Sequence, residues 1–258
     1  MRAAVVQMAI RDGEPETNRR RAEELLAAAP EAELVLLPEL WSTGYAHGTW
    51  AASAQEDTPR LCAWMAALAH TRQATVAGSL VSLNGAGELV NRMWLFPPDG
   101  GAPAFYDKAH LFRPLAEHEH LRAGRGRAQV PAGRFRAAPS ICFDLRFPEQ
   151  YRRDAADGAD LFLVSAEWPH PRSAALRLLA CARAVENQAY LLLANRTGPA
   201  SDGTVFCGGS LIVSPEGEIL ADAGEGEGVV SALVSPERVH ALRERFPVLP
   251  YRTEGVDY

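Results

Sequence analysis

One lysine occurs in the chain. Lys108 stands in the segment FYDKAHLF, and every other member of the 26 Lys+Arg residues is arginine. Two further reactive side chains share its kind of position: Glu39 closes the run LVLLPE and Cys142 closes APSIC. A cysteine attacks as thiolate, and an ordinary thiol with a pKa of about 8.5 supplies little of it at neutral pH. A carboxylate can take the thiol proton and later give it to a leaving amine. An ammonium can hold the oxyanion of a tetrahedral intermediate. Its compact charge suits a small pocket better than the planar guanidinium fork, which answers why a lysine persists here. The three types together read as acyl transfer from a carbon–nitrogen bond, chemistry that requires no cofactor.

Their positions follow from the elements around them. Each of the three follows an apolar strand, where α/β folds gather their sites. AAVVQMA reads as a strand, followed by a polar helix to about Ala29; AELVLLPEL reads as a buried strand. RLCAWMAALAHTRQ has helical spacing, ATVAGSLVSL is a strand, and NGAG signals a hairpin into ELVNRMWLF. Residues 41–55 and 113–129 read as loops. FRAAPSICF is the strand that carries Cys142, and FDLRFPE turns into a helix at Pro148, so the oriented amides at a helix start are expected to stabilise the thiolate. ADLFLVSAEW, RSAALRLLACARAVEN and AYLLLAN follow as strand, helix and strand. GSLIVSPEGEILADAG reads as an antiparallel hairpin with GVVSALV as its neighbour, before a last helix near 236–246. The reading is a single α/β domain over residues 1–258, with mixed sheets and helices outside.

Composition narrows the function classes. At 258 residues, 47% hydrophobic and 22% charged, the chain can bury a sizeable core. A net charge of -6 with Arg19, Arg20 and Arg21 beside Glu23 and Glu24 argues against nucleic acid. No apolar run approaches the roughly 18 residues of a membrane span, and MRAAVVQMAI lacks a signal-peptide pattern. Cys62, Cys142, Cys181 and Cys207 are far apart with no CxxC pair, which points to a reducing cytoplasm.

LLPELWSTGY, FYDKAHLF and SICFDLRFPE, in that order, resemble the three catalytic segments of the nitrilase superfamily of carbon–nitrogen hydrolases. ARAVENQAYLLLANRTG resembles a later block of the same family, so the similarity spans essentially the whole chain. The resemblance implies a four-layer α-β-β-α sandwich that dimerises. It implies Glu39 as base, Lys108 as oxyanion stabiliser and Cys142 as nucleophile, with the backbone N–H of Phe143 completing the oxyanion hole. It also implies a second glutamate in the loop after the lysine, matched by Glu117 in LAEHEHLRAG, with Glu119 as the alternative.

ICFDLRFPE, WPHPRS and ARAVENQAY are most similar to the ω-amidase group, which hydrolyses the terminal amide of α-keto acid amides such as 2-oxoglutaramate. The far carboxylate of such a substrate needs a cation, for which Arg146, Arg172 and Arg196 are candidates. Tyr45 and Trp168 are candidate pocket walls. Two residues depart from the family pattern: Phe143 stands where tyrosine is common, and Glu167 in SAEWPHP replaces a small or amide residue. A Glu167 pointing into the pocket would disfavour an anionic substrate and would suit a cationic group instead. Four competing readings remain: another specificity within the same superfamily (an N-carbamoyl amino acid, other aliphatic amide or nitrile), a metal at His118, Glu119 and His120, a Cys–His dyad, and a non-catalytic binding protein on the same fold.

Overall fold

Alternation along the strands sets the layers. In the computed structural model, which describes residues 1–251, Ala3 and Val5 of β1 (Arg2–Gln7) join the core between two sheets, while Ala4 and Val6 join a second core under helices. That is the period of two that a strand covered on both faces must show. α1 (Pro15–Ala27), β2 (Leu34–Leu36), α2 (Trp50–Arg72), β3 (Thr75–Leu83), β4 (Leu89–Phe96) and β5 (Ala104–Asp107) complete the first half. Leu26 of α1 and Leu61, Met65 and Ala69 of α2 cover the outer face of this sheet. A one-turn helix, α3 (Glu117–His120), lies in the connection to the second half.

The second half repeats the plan with β6 (Val130–Ala132), β7 (Phe135–Ile141), α4 (Pro148–Ala156), β8 (Leu161–Ala166), α5 (Ser173–Asn187) and β9 (Tyr190–Asn195). A two-stranded ribbon, β10 (Thr197–Pro199) and β11 (Val205–Cys207), leads to the hairpin β12 (Leu211–Val213) and β13 (Ile219–Asp222). β14 (Gly228–Leu233) and α6 (Pro236–Arg245) follow. The strand orders are β14-β1-β2-β3-β4-β5 and β13-β12-β9-β8-β7-β6. From β5 and from β13, both sheets run antiparallel, antiparallel, parallel, parallel, antiparallel. Leaving the β10–β11 ribbon aside, β1 to β5 and β7 to β13 are each a βαβαβββ unit, with β14 and β6 added antiparallel at the edges, and the two sheets stack through one shared core with helices outside, a four-layer α-β-β-α sandwich.

Three elements differ from the sequence reading. α2 begins at Trp50, ten residues before the apolar run that announces it, because Trp50 and Ala54 pack over Leu40 and Val81 and make residues 50–55 helical. The segment 113–129 holds two short helical turns rather than plain loop. β14 leaves the β12–β13 hairpin's sheet and pairs antiparallel with β1 in the other sheet.

Candidate active site

The strand ends converge between the sheets. Tyr106 of β5 points into the shared core, and two residues on Lys108 continues the same face, fully buried. Its backbone N–H donates to the carbonyl of Asn91 at 2.9 Å. Gly124 packs so closely on Asp107 that a Cβ would lie 2.1 Å from the Asp107 carbonyl oxygen, so the lysine's backbone is clamped. Glu39 lies three residues past β2, where Leu40 has φ 38° and donates its N–H to Ser79 Oγ at 3.0 Å. Cys142 follows β7 directly, with φ 49°, and opens a 3-10 turn over Cys142–Arg146. A non-glycine residue held at positive φ costs on the order of 1–3 kcal/mol and persists where surrounding structure over-determines it. Asp144 does so here: its Oδ2 accepts from the Ile141 N–H at 2.9 Å and from the Tyr106 hydroxyl at 2.8 Å.

Lys108 Nζ donates to Glu39 Oε1 at 2.7 Å and to both oxygens of Glu117 at 2.8 and 2.7 Å. All three side chains are fully buried. Glu39 Oε1 also accepts from Asn91 Nδ2 at 2.8 Å and from the Tyr45 hydroxyl at 3.3 Å, while Oε2 accepts from the Glu167 N–H at 2.9 Å. The Cys142 thiol donates to the Glu167 backbone carbonyl at 3.9 Å and lies close enough to Glu39 for that carboxylate's charge to act on it. Burial alone would push the Lys108 ammonium down, but the adjacent Glu117 and Glu39 carboxylates together outweigh it and hold the group above its ordinary value. Burial raises Glu39, opposed by Lys108 and reinforced by Glu117.

The thiol departs from the expectation of a helix-stabilised thiolate. Burial first, then the Glu39 charge, pushes Cys142 well above its ordinary value, and Lys108 only partly offsets them. α4 begins at Pro148, beyond the 3-10 turn, so Cys142 is not at its start. The resting sulfur is a thiol beside a carboxylate, an arrangement in which the proton moves to Glu39 as the sulfur attacks.

A cavity with about 230 Å³ of empty space opens on Cys142 and is walled by Phe112, Phe143, Glu167, Trp168 and the two arginines Arg146 and Arg172. The Arg146 guanidinium lies 5.1 Å over the Trp168 ring and that of Arg172 lies 5.3 Å over Phe112. Trp168 is among the residues that line this cavity. Tyr45 is not among the residues that line the cavity; its hydroxyl sits on Glu39 and on Glu117, at 3.2 Å from the latter. Arg196 is not available as a clamp either: it is fully buried and bonded to Asp12 and Glu167 at 2.8 Å each and to the Ile10 carbonyl at 2.7 Å. Of the two glutamates in the loop, Glu117 meets the lysine and Glu119 is exposed.

No histidine lines the cavity; His110 is held by Asp144 and stacked on Phe147. His118 and His120 are exposed, and no group of three metal-ligating side chains occurs among the described residues. Sequence reasoning missed Asn91, whose side chain bridges Glu39 and Glu117. Its signal was an amide inside the apolar strand ELVNRMWLF.

The family model for carbon-nitrogen hydrolase matches residues 2–244. This chain belongs to the carbon–nitrogen hydrolases. The hydrolase is 34% identical to the 2-oxoglutaramate amidase of Bacillus subtilis, over 94% of each chain. It is 38% identical to the omega-amidase YafV of Escherichia coli K12, over 89% of this chain and 88% of that protein. Its fold matches a CN-hydrolase superfamily protein from Xanthomonas campestris that carries an arsenic adduct in its active site, with a TM-score of 0.91, 32% identity and coverage of 100% and 99%.

Proposed function

We propose that this carbon–nitrogen hydrolase is a cysteine amidase of the ω-amidase kind, acting on α-keto acid amides such as 2-oxoglutaramate. The observation that supports the reading is the Glu39–Lys108 ion pair whose charges act on Cys142, the residue that opens on a small cavity walled in part by two arginines. The similarity to a 2-oxoglutaramate amidase and an omega-amidase supports the substrate class.

Cys142 gives its proton to Glu39 as sulfur attacks the amide carbonyl. The Lys108 ammonium and the Phe143 N–H hold the oxyanion. Glu39 passes the proton to the nitrogen, ammonia leaves, and a thioester remains on Cys142. Water then gives a proton to Glu39 and attacks the thioester; the departing sulfur recovers that proton, and the acid product is released. Glu117 and Asn91 orient the lysine and the base, and Tyr45 supports both carboxylates. No step requires a cofactor or a metal. The site draws on both sheets, which supports reading the described residues as one domain; residues 252–258 of that reading lie outside them.

Arg172 and Arg146 bind the far carboxylate. Replacing Arg172 by alanine is expected to lower kcat/KM for 2-oxoglutaramate about tenfold to a hundredfold, the worth of a hydrogen bond to a charged group. A neutral aliphatic amide of equal length should be little affected. Ammonia release from keto acid amides, N-carbamoyl amino acids, nitriles and simple amides tests the class. Preference for any of the others, or equal losses on charged and neutral amides, removes this reading.

We also read the enzyme as a cytoplasmic homodimer. Leu178 and Val185 leave one face of α5 apolar and exposed, at 70% and 47%, and all four cysteines are free thiols. Among the described residues no helix is long and apolar enough to cross a membrane. Sedimentation is expected to give a dimer that Leu178→Glu dissociates; a monomeric parent would refute it.

A further inference from the structure

Glu167 lines the cavity beside Cys142, yet only half of its carboxyl group is used. Oε2 accepts from Arg196 at 2.8 Å, whereas Oε1 is buried without a hydrogen-bond partner. The side chain is completely buried. An orphaned buried oxygen is costly, by about 1–3 kcal/mol, unless another molecule satisfies it.

Charge balance says in which form the group waits. The backbone N–H of Glu167 joins two ion clusters, since it donates to Glu39 while its side chain holds Arg196. Asp12, Glu39, Glu117 and Glu167 supply four carboxyls to this network, and Lys108 and Arg196 supply two cations. Surplus buried negative charge is relieved by protonation. Glu39 and Glu117 share the lysine, and Asp12 also accepts from the Ser201 N–H at 2.7 Å. Glu167 has the poorest compensation. Burial, with Arg196 in opposition and Glu39 reinforcing it, pushes its carboxyl up to about 8. Arg196, Glu39 and Asp12 act on the group, Tyr45 lies within reach of its charge, and Cys142, Arg146 and Arg172 share the cavity walls with it.

We propose that Glu167 is a specificity-determining residue that works as a neutral acid, its Oε1–H donating to an oxygen acceptor on the substrate chain. Arg196 occupies Oε2, which leaves Oε1 as the oxygen that carries the proton and faces the ligand. With the far carboxylate on Arg146 and Arg172, this donor meets the α-keto oxygen and offers nothing to an ammonium in its place. The group therefore selects α-keto acid amides over the corresponding α-amino acid amides. This deepens the ω-amidase reading and rests on it.

The test compares 2-oxoglutaramate, L-glutamine and glutaramate, which differ only at the α-carbon, in the wild type and two variants. Glu167→Gln keeps an acceptor for Arg196 and an N–H donor in place of Oε1–H. It is expected to retain the keto preference within about threefold at pH 7. Wild-type activity on 2-oxoglutaramate should fall above pH 8 as Glu167 ionises, and the glutamine variant should not show that fall. Glu167→Ala should lose about tenfold on 2-oxoglutaramate and little on glutaramate. If the alanine variant does not fold, the pH profiles of the other two proteins decide. Identical alkaline profiles, parallel losses on all three amides, or a wild-type preference for L-glutamine overturn the proposal while leaving an amidase. Absence of turnover of all three by the wild type sinks the ω-amidase reading and this one with it.

Discussion

Replacing Cys142 by alanine is expected to lower ammonia release on the order of a millionfold, with the protein still folded. The expectation follows from the order of events in the site. Without sulfur no thioester can form, and only the oxyanion donors Lys108 and Phe143 remain around a bound amide. Donors alone retain a small part of the catalysis, which is the usual outcome when the nucleophile of a cooperating set is removed. Glu39→Gln should then cost nothing further in the Cys142→Ala background, because base and nucleophile act as one unit. The change deletes one atom from a nearly buried side chain, so melting should move by a few degrees at most. Mass spectrometry gives the complementary result: a slow amide should leave an acyl adduct on Cys142 in the parent and none in the variant. Retention of more than about a thousandth of the activity by the alanine variant would refute the covalent route.

Lys108→Met should damage stability and rate together. The ammonium sits 2.7 Å from Glu39 and 2.7 Å from Glu117, with all three groups sealed from water. Removing the cation leaves two facing buried carboxyls, and breaking a buried pair in this way costs about 3–5 kcal/mol. Loss of one oxyanion donor lowers kcat by about 10²–10³. The pH dependence separates the two effects. Facing carboxylates share a proton, so their folded-state pKa rises above the unfolded value and the variant regains stability as pH falls. Its melting temperature should therefore climb between pH 8 and pH 5.5 by more than the parent's does. Lys108→Arg should not rescue activity, since a planar fork does not fit where one point charge meets three oxygens. A methionine variant as stable as the parent at pH 8 would refute the assigned charge states.

How much of this was legible in the residues depends on distance along the chain. Glu39, Lys108 and Cys142 each end an apolar run, and a local pattern is enough to find such positions. Glu117 and the four-layer fold came from the resemblance rather than from spacing. Asn91 was visible only as a polar residue in a strand, because its role depends on which glutamates lie across the site. Arg196 looked like a ligand clamp and is an internal strut, a distinction set by Asp12, a residue 184 positions away. Trp50 begins a helix that apolar spacing alone does not mark, since Ala, Ser and Gln there suit a helix but show no apolar stripe, and the start is set where Trp50 packs with Val81. The partner of β14 could not be read either: alternation identifies a strand and leaves its edge open.

That edge has a consequence for how the molecule is made. β14 covers the outer rim of β1, with Gln7 opposite Gly228, and the Met1 amino group donates to the Val234 carbonyl, 233 positions away. During synthesis the N-terminal half must emerge with that rim bare, and the seam can close only once residues 228–233 have left the ribosome. Until then the open rim offers unpaired amides to any passing extended peptide. The pairing of β1 with β14 is the most distant in the molecule and is expected to close late, and the interval before closure is when a crowded cell would most readily misassemble it.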